Sequence, residues 1–249
     1  MRIAVIGGTG LVGRHTVDAL ARAGHEPVAV ARSQGVDLST GEGLDEALAG
    51  ANAAIDVTNA HAGDAEEARS VFGAMTERLL AAEARAGVAH HVLLSILGVD
   101  RVEGSAHYAG KRRQEELVEA GPVPSTILRA TQFHEFAEMV VGWTERDGSA
   151  AVPPLLVQPV AAADVGEVLA EVVAGAPQGR ARDLAGPATE DLVDMARRAL
   201  AARGREVRLV PSWQNGIFGP EMAGEVLLPG PDARIAPTSF EDWLRGCSA

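Results

Sequence analysis

The stretch 2-RIAVIGGTGLVGRH-15 constrains this fold more than any other part of the sequence. An apolar run with the composition of a buried strand, at 2–7, meets 7-GGTGLVG-13, and a helical pattern runs from about 11 to 23. Gly8, Gly10 and Gly13 fit the spacing G-x-G-x-x-G, while Gly7, Gly10 and Gly13 fit G-x-x-G-x-x-G. A chain at such a junction must turn sharply, let a pyrophosphate approach its backbone, and bring helix close to strand. Each requirement excludes a side chain. The helix start then offers its free N–H groups and positive dipole end to phosphate. We therefore expect Gly7, Thr9, Gly10, Leu11, Val12 and Gly13 to hold a dinucleotide.

The same alternation continues downstream. Apolar runs at 27–31, 53–58, 91–96 and 125–130 read as strands, separated by helices near 11–23, 43–49, 64–86 and 107–120. Strands alternating with helices imply an α/β fold, a doubly wound parallel sheet of Rossmann type. The segment 34-QGVDLSTGEG-43 leaves space for a stub of strand at 35–38. After residue 133 come a helix at 133–145, a loop at 147–154 and a strand at 155–160. A helix capped by Asp164 then runs to about 174. A strand at 182–185, a helix at 189–203, a strand at 206–210 and a proline-rich tail entering a short amphipathic helix complete the pattern. This reads as one unit over 1–249. Residues 1–132 are the dinucleotide-binding core, and 133–249 add further strands and a small C-terminal substrate lobe.

The end of the second strand selects the cofactor. Asp or Glu there holds the ribose 2′-hydroxyl of NAD, whereas arginine accommodates the 2′-phosphate of NADP. The sequence 28-VAVARSQG-35 supplies Arg32 and Ser33, with no acid before Asp37. A guanidinium offers two parallel hydrogen bonds to phosphate and Ser33 adds a third, so NADP(H) is favoured over NAD(H). Asp37 and Leu38 are expected to border the adenine. Thr58 and Asn59 close the third strand on the edge where such sheets bind ligands.

Composition narrows the partners. With 22 basic and 34 acidic residues, the formal net charge of −12 opposes docking on a phosphate backbone. No apolar run approaches the roughly 20 residues of a membrane span. The start has no convincing signal-peptide pattern. Cys247 is the only cysteine, so no intrachain disulfide can form. The expectation is a cytoplasmic protein acting on a small molecule, with no direct nucleic-acid or membrane partner.

In the segments 7-GGTGLVG-13, 92-VLLSILGVD-100, 111-KRRQEELVEAG-121, 126-TILRATQFHEF-136, 159-PVAAADVGEVLA-170 and 238-TSFEDWL-244, the chain resembles the extended and atypical short-chain dehydrogenase/reductases. Within them it is most similar to the NmrA-like, NAD(P)H-binding group, essentially end to end. The resemblance implies a Ser/Thr, Tyr and Lys site. There tyrosine is acid or base, lysine lowers its pKa and binds the ribose, and serine orients the substrate oxygen. Ser95 and Lys111 occupy the serine and lysine positions, while the tyrosine position is His107. The family loop also implies that Gln132 and Phe133 border the nicotinamide.

Tyr108, the chain's single tyrosine, sits three residues before Lys111. Residues three and four apart share a helix face, so both His107 and Tyr108 can approach the lysine, separated by about 100° around the axis. His107 keeps the register facing the nicotinamide, and Tyr108 faces the small lobe or solvent. Beside Lys111 the imidazole is expected to be neutral, suited to a base or hydrogen-bond role. Elsewhere in 111-KRRQEE-116 we expect a solvated face with Lys111–Glu115 and Arg112–Glu116 pairs. His134, after a strand at the ligand edge, is a substrate-pocket candidate alongside Tyr108. His90 and His91 alternate on a strand and cannot share a metal ion. No cluster has metal-ligand spacing, and a hydrolase reading lacks G-x-S-x-G.

Three functions fit these residues. One is an NADP(H)-dependent oxidoreductase for a small carbonyl or quinone-like compound, with Ser95, His107 and Lys111 catalytic. The second is a non-catalytic NADP(H)-binding sensor whose cofactor state alters a protein contact. The third keeps the pocket for redox-neutral isomerisation or dehydration.

Overall fold

The computed structural model describes residues 1–213 and 218–247. Its first half alternates as the hydropathy pattern requires. β1 (Arg2–Ile6), α1 (Leu11–Arg22), β2 (Glu26–Val30), α2 (Leu44–Leu48), β3 (Ala53–Asp56), α3 (Ala65–Ala86), β4 (His90–Ile96), α4 (Ala106–Ala120) and β5 (Ser125–Ala130) follow in order. The second half adds α5 (Phe136–Thr144), β6 (Ser149–Val152), β7 (Leu156–Val157), α6 (Ala162–Ala174), β8 (Gly179–Arg180) and β9 (Leu184–Ala185). Then come β10 (Glu190–Asp191), α7 (Leu192–Ala202), β11 (Arg208–Pro211), β12 (Arg234–Ile235) and α8 (Phe240–Cys247).

One sheet of eight strands runs in the order β12-β9-β5-β4-β3-β1-β2, with β8 also pairing with β5. Every pairing in it is parallel. The fold is the expected doubly wound α/β arrangement. Ile3, Val5, Ile55, Val92 and Leu128 meet α1 and α6 on one face. Ala4, Ile6 and Ala54 meet α2 and α3 on the other, and Leu93 and Ile127 meet α4 there through Val118. Alternate residues thus enter opposite cores, as the pleat demands. β1 lies between β2 and β3, so successive crossovers depart in opposite directions. That switch point opens a crevice at the carboxyl ends of the strands.

A separate apolar cluster forms the lobe, built from α5, β6, β7, α7, α8, the loop that carries Val99 and Val102, and the 3₁₀ turns that carry Met222 and Leu227. Its strands form two small sheets, β6 with β11 and β7 with β10. No helix of the described residues is long and apolar enough to cross a membrane.

Four local expectations need correction. The stub at 35–38 is not a strand. A 3₁₀ turn at Arg32–Gln34 and a single bridge between Asp37 and Glu42 take its place. Asp37 spends its Oδ1 on the N–H and Oγ of Ser39, which curls the chain away. The loop at 147–154 contains β6, while the run at 155–160 yields only β7, because Pro153, Pro154 and Pro159 cannot donate to a ladder. β3 ends at Asp56 rather than residue 58, since Asp56 Oδ1 captures the Thr58 N–H. Finally, Asp164 does not cap α6. The cap is Ala161, and the Asp164 carboxylate accepts instead from the N–H and Oγ1 of Thr238, 3.0 Å each.

Candidate functional site

At the end of β1, Gly7 has φ +84°, a conformation that penalises any Cβ. At Gly13, a Cβ would lie 2.7 Å from Gly8 Cα and overlap Gly7 O. The first turn of α1 is thereby pressed against the turn that leaves β1. Gly10 occupies the N-cap position, so no side chain satisfies the first N–H groups of α1. Thr9 and Gly10 are exposed, whereas Val12 and Leu11 turn their side chains into the core beneath and offer only backbone. Such a helix start, uncapped and open at the switch point, has the donors and the dipole to receive a pyrophosphate. The residues present fit a dinucleotide.

Arg32 and Ser33 follow β2 directly and are both exposed. The Ser39 hydrogen bonds, with help from the Arg32 charge, hold the Asp37 carboxyl below its usual range. That carboxylate accepts from its own turn through Oδ1, and Leu38 is buried in the core. Asn59 is exposed and accepts from the Ala60 N–H.

α4 starts at Ala106, without a shifted register. Lys111 is buried, and its Nζ donates to Thr58 O (3.0 Å), Leu94 O (3.1 Å) and Gln114 Oε1 (2.9 Å). His107 lies beside it, edge-on to the Phe72 ring at 6.1 Å. Burial first, then the charges of Lys111 and His61, push its pKa down to about 4. The imidazole is neutral at physiological pH.

Tyr108 turns the other way, into the lobe cluster with Val99, Val102 and Leu227. Its hydroxyl accepts from Gln132 Nε2 at 3.4 Å, and burial keeps the phenol protonated. Gln132 is buried after β5, with Oε1 lacking a protein partner. Phe133 packs part-buried against the core beside it.

The Ser95 and His134 side chains have other neighbours. Ser95 is register partner to Arg129, so both point toward α4. Its buried Oγ faces Glu115 without a hydrogen bond of good geometry. His134 is fully buried, with its ring 5.5 Å from Phe240 and 5.9 Å from Trp243 and Nε2 bonded to Thr238 O. Its ring packs against α8.

The face 111–116 is not the solvated surface expected. Glu115 is 3 % exposed and grips Arg129 with both oxygens, 2.9 and 2.7 Å. Arg129 also reaches Asp100. Arg112 donates to Val99 O and Val102 O rather than pairing with Glu116. Asp56, Phe72, Gln114 and the Glu115–Arg129 pair are the site-supporting residues that sequence reasoning missed. An acid inside the strand 53-AAID-56 and an arginine inside 125-STILRA-130 were the available signals.

Comparison with known proteins agrees with this architecture. The model of the NmrA-like family matches residues 1–193. A (4-alkanoyl-5-oxo-2,5-dihydrofuran-3-yl)methyl phosphate reductase of Streptomyces griseus is 33% identical over 206 residues, 74% of this chain and 68% of that one. Among solved structures, a nucleoside-diphosphate-sugar epimerase from Staphylococcus aureus superposes with a TM-score of 0.72 at 15% identity, covering 98% of this chain and 100% of that one. An NADPH-dependent quinone oxidoreductase from Escherichia coli, complexed with NADPH, gives 0.70 at 15% identity, covering 99% and 100%. At such identities these two likenesses speak to the fold alone.

Proposed function

The chain belongs to the NmrA-like family, and on that premise we propose that it is an NADP(H)-dependent oxidoreductase. Its substrate on this reading is a small carbonyl or quinone-like compound. The observation that carries the reading is the uncapped start of α1 over its glycine turn, with Arg32 exposed at the end of β2. The named activities of the Streptomyces griseus reductase and the Escherichia coli quinone oxidoreductase support it.

Bound NADPH supplies the hydride. The chain's own residues bind and orient. Backbone N–H groups of α1 hold the pyrophosphate, and Arg32 with Ser33 takes the 2′-phosphate. Gln132 and Phe133 form the wall after β5. Lys111 places a fixed positive charge below the crevice, next to the backbone of Ser95. His107, neutral, donates or accepts one hydrogen bond at the substrate oxygen. Tyr108 and Gln132 approach from the lobe side with spare hydrogen-bonding capacity. We take the setting to be cytoplasmic and the partner a small molecule.

One observation favours a second reading, the NADP(H)-responsive sensor with a protein partner: a histidine, not a tyrosine, stands four residues before Lys111. Titration with NADPH and NADH, followed by a turnover screen against aldehydes, ketones and quinones, separates the two. Tight NADPH binding with turnover supports the reductase, and tight binding without it supports the sensor. Absence of binding to either cofactor overturns both.

A further inference from the structure

Lys111 is the only lysine among 22 basic residues, and it lies in the interior. Its ammonium sits where β3 and β4 part. The last pair of their ladder is Asp56 with Leu93, and just beyond it Thr58 O and Leu94 O both accept from Nζ. The third N–H goes to Gln114 Oε1, and the same carboxamide donates through Nε2 to Asp56 Oδ2 at 2.7 Å. The other Asp56 oxygen accepts the Thr58 N–H at 2.8 Å. An ammonium has three donors and no acceptor, so this set is complete. A carboxamide between a cation and a carboxylate has one satisfactory orientation. A planar guanidinium, with five donors in a rigid fork, does not match three acceptors converging on one nitrogen.

We propose that Gln114 and Asp56 are positioning residues for Lys111, fixing its ammonium as a buried charge in the gap between β3 and β4. The positioning stands on this geometry, while its consequence for cofactor binding rests on the reading above. Lys111 then acts on the cofactor through its charge and through the two strand ends it ties together. The groups facing it are Asp56 from β3, Glu115 and His107 from its own helix, and the Phe72 ring from α3, 5.6 Å from Nζ. β4 presents the Leu94 carbonyl. Burial pulls the lysine below its ordinary range, and the Asp56 and Glu115 charges oppose that pull. Losing the carboxamide oxygen therefore weakens the charged form, and a carboxylate in its place strengthens it.

A single lysine makes the test direct, because lysine labelled with ¹³C at Cε gives one side-chain signal for the whole chain. The unmodified protein, Gln114→Leu and Gln114→Glu are titrated by NMR, and NADPH affinity is followed over the same pH range. The lysine midpoint is expected to fall by about 1 pH unit or more in Gln114→Leu and to rise in Gln114→Glu. The alkaline loss of NADPH affinity should move in the same directions. Gln114→Glu keeps the side chain's size and reach, so it decides the matter if the leucine variant does not fold. Coincident lysine titrations in all three proteins overturn the proposal. An unmodified protein that does not bind NADPH sinks the cofactor reading alone, since the lysine signal still reports on Gln114.

Discussion

Phe72 of α3 and Gly110 of α4 touch with no space left for a methyl group: a Cβ at 110 would lie 2.8 Å from the ring's Cε2 and overlap its neighbour. The same ring faces Lys111 Nζ and the edge of His107, so the spacing of α3 and α4 sets where those two side chains stand. Gly110→Ala should therefore destabilise the fold by about 1–3 kcal/mol through overpacking. Helix propensity alone predicts a gain of up to ~1 kcal/mol. Denaturant unfolding gives the sign, and a parallel NADPH titration should show weaker binding. A more stable variant with unchanged affinity would remove Phe72 from the account of the site.

Arg32 should set cofactor preference. NADP(H) is expected to bind at least ~10-fold more tightly than NAD(H), about 1.4 kcal/mol. Arg32→Ala should remove most of that difference while sparing NAD(H). Equal affinities in the unmodified protein would leave Arg32 as an ordinary exposed side chain. Gly10→Val, which fills the pyrophosphate's approach, should weaken both cofactors.

His107 should carry the proton-handling step. Because its folded pKa is depressed to about 4, it stays neutral from pH 8 down past 5, and turnover should show no histidine limb near 6.5. The sign for stability follows: the neutral form is favoured by folding, so its contribution is full above pH 6.5 and lost as pH falls toward 4. His107→Ala should lower turnover by ~10²-fold or more with little change in NADPH affinity. Tyr108→Phe should cost much less. The reverse ranking would place the proton donor on the lobe side, at the Tyr108–Gln132 pair.

Under the sheet, Glu83 and His91 form a buried pair at 2.9 Å, with both side chains fully enclosed. Burial opposes the charge on His91, but the Glu83 carboxylate and its hydrogen bond overcome it and raise the pKa. A raised histidine stabilises fully below its unfolded value near ~6.5 and loses that contribution as pH rises through the folded value. Glu83→Gln should cost about 3–5 kcal/mol at pH 6, with a smaller cost at high pH. Urea unfolding of both proteins from pH 5 to 9 tests this. A pH-independent difference would show that the pair acts by packing alone.

The parts of the fold visible in the sequence were those fixed by neighbours along the chain. The glycine turn, the five long strands and their helices follow from apolar period and turn residues, and so does the position of Lys111 on α4. What escaped depended on partners far away. Asp164 has the look of a helix cap, but Thr238, distant in sequence, takes its carboxylate. Glu115 has a suitable helix neighbour in Lys111, yet the guanidinium of Arg129 from β5 wins it. His134 follows a strand at the ligand edge, but Phe240 and Trp243 of α8 draw its ring into the interior. Gln114 could not be singled out without knowing that Asp56 stands opposite it.

The strand order also dictates when this sheet can be completed. β12 joins β9 at the far edge only after α7 and β11 have been made, although β9 itself precedes them. During synthesis from the N-terminus, the backbone groups of β9 on that side stay unpaired until residues 234–235 arrive. An open parallel edge is a template for association with other chains. A protein truncated after residue 193 would keep the glycine turn and Lys111 but make that vulnerable interval permanent. It would also lack the Thr238 tie to Asp164 and the aromatic cover over His134. The glycine turn and the strand that closes the far edge of the sheet thus lie at opposite ends of the order in which the sheet is made.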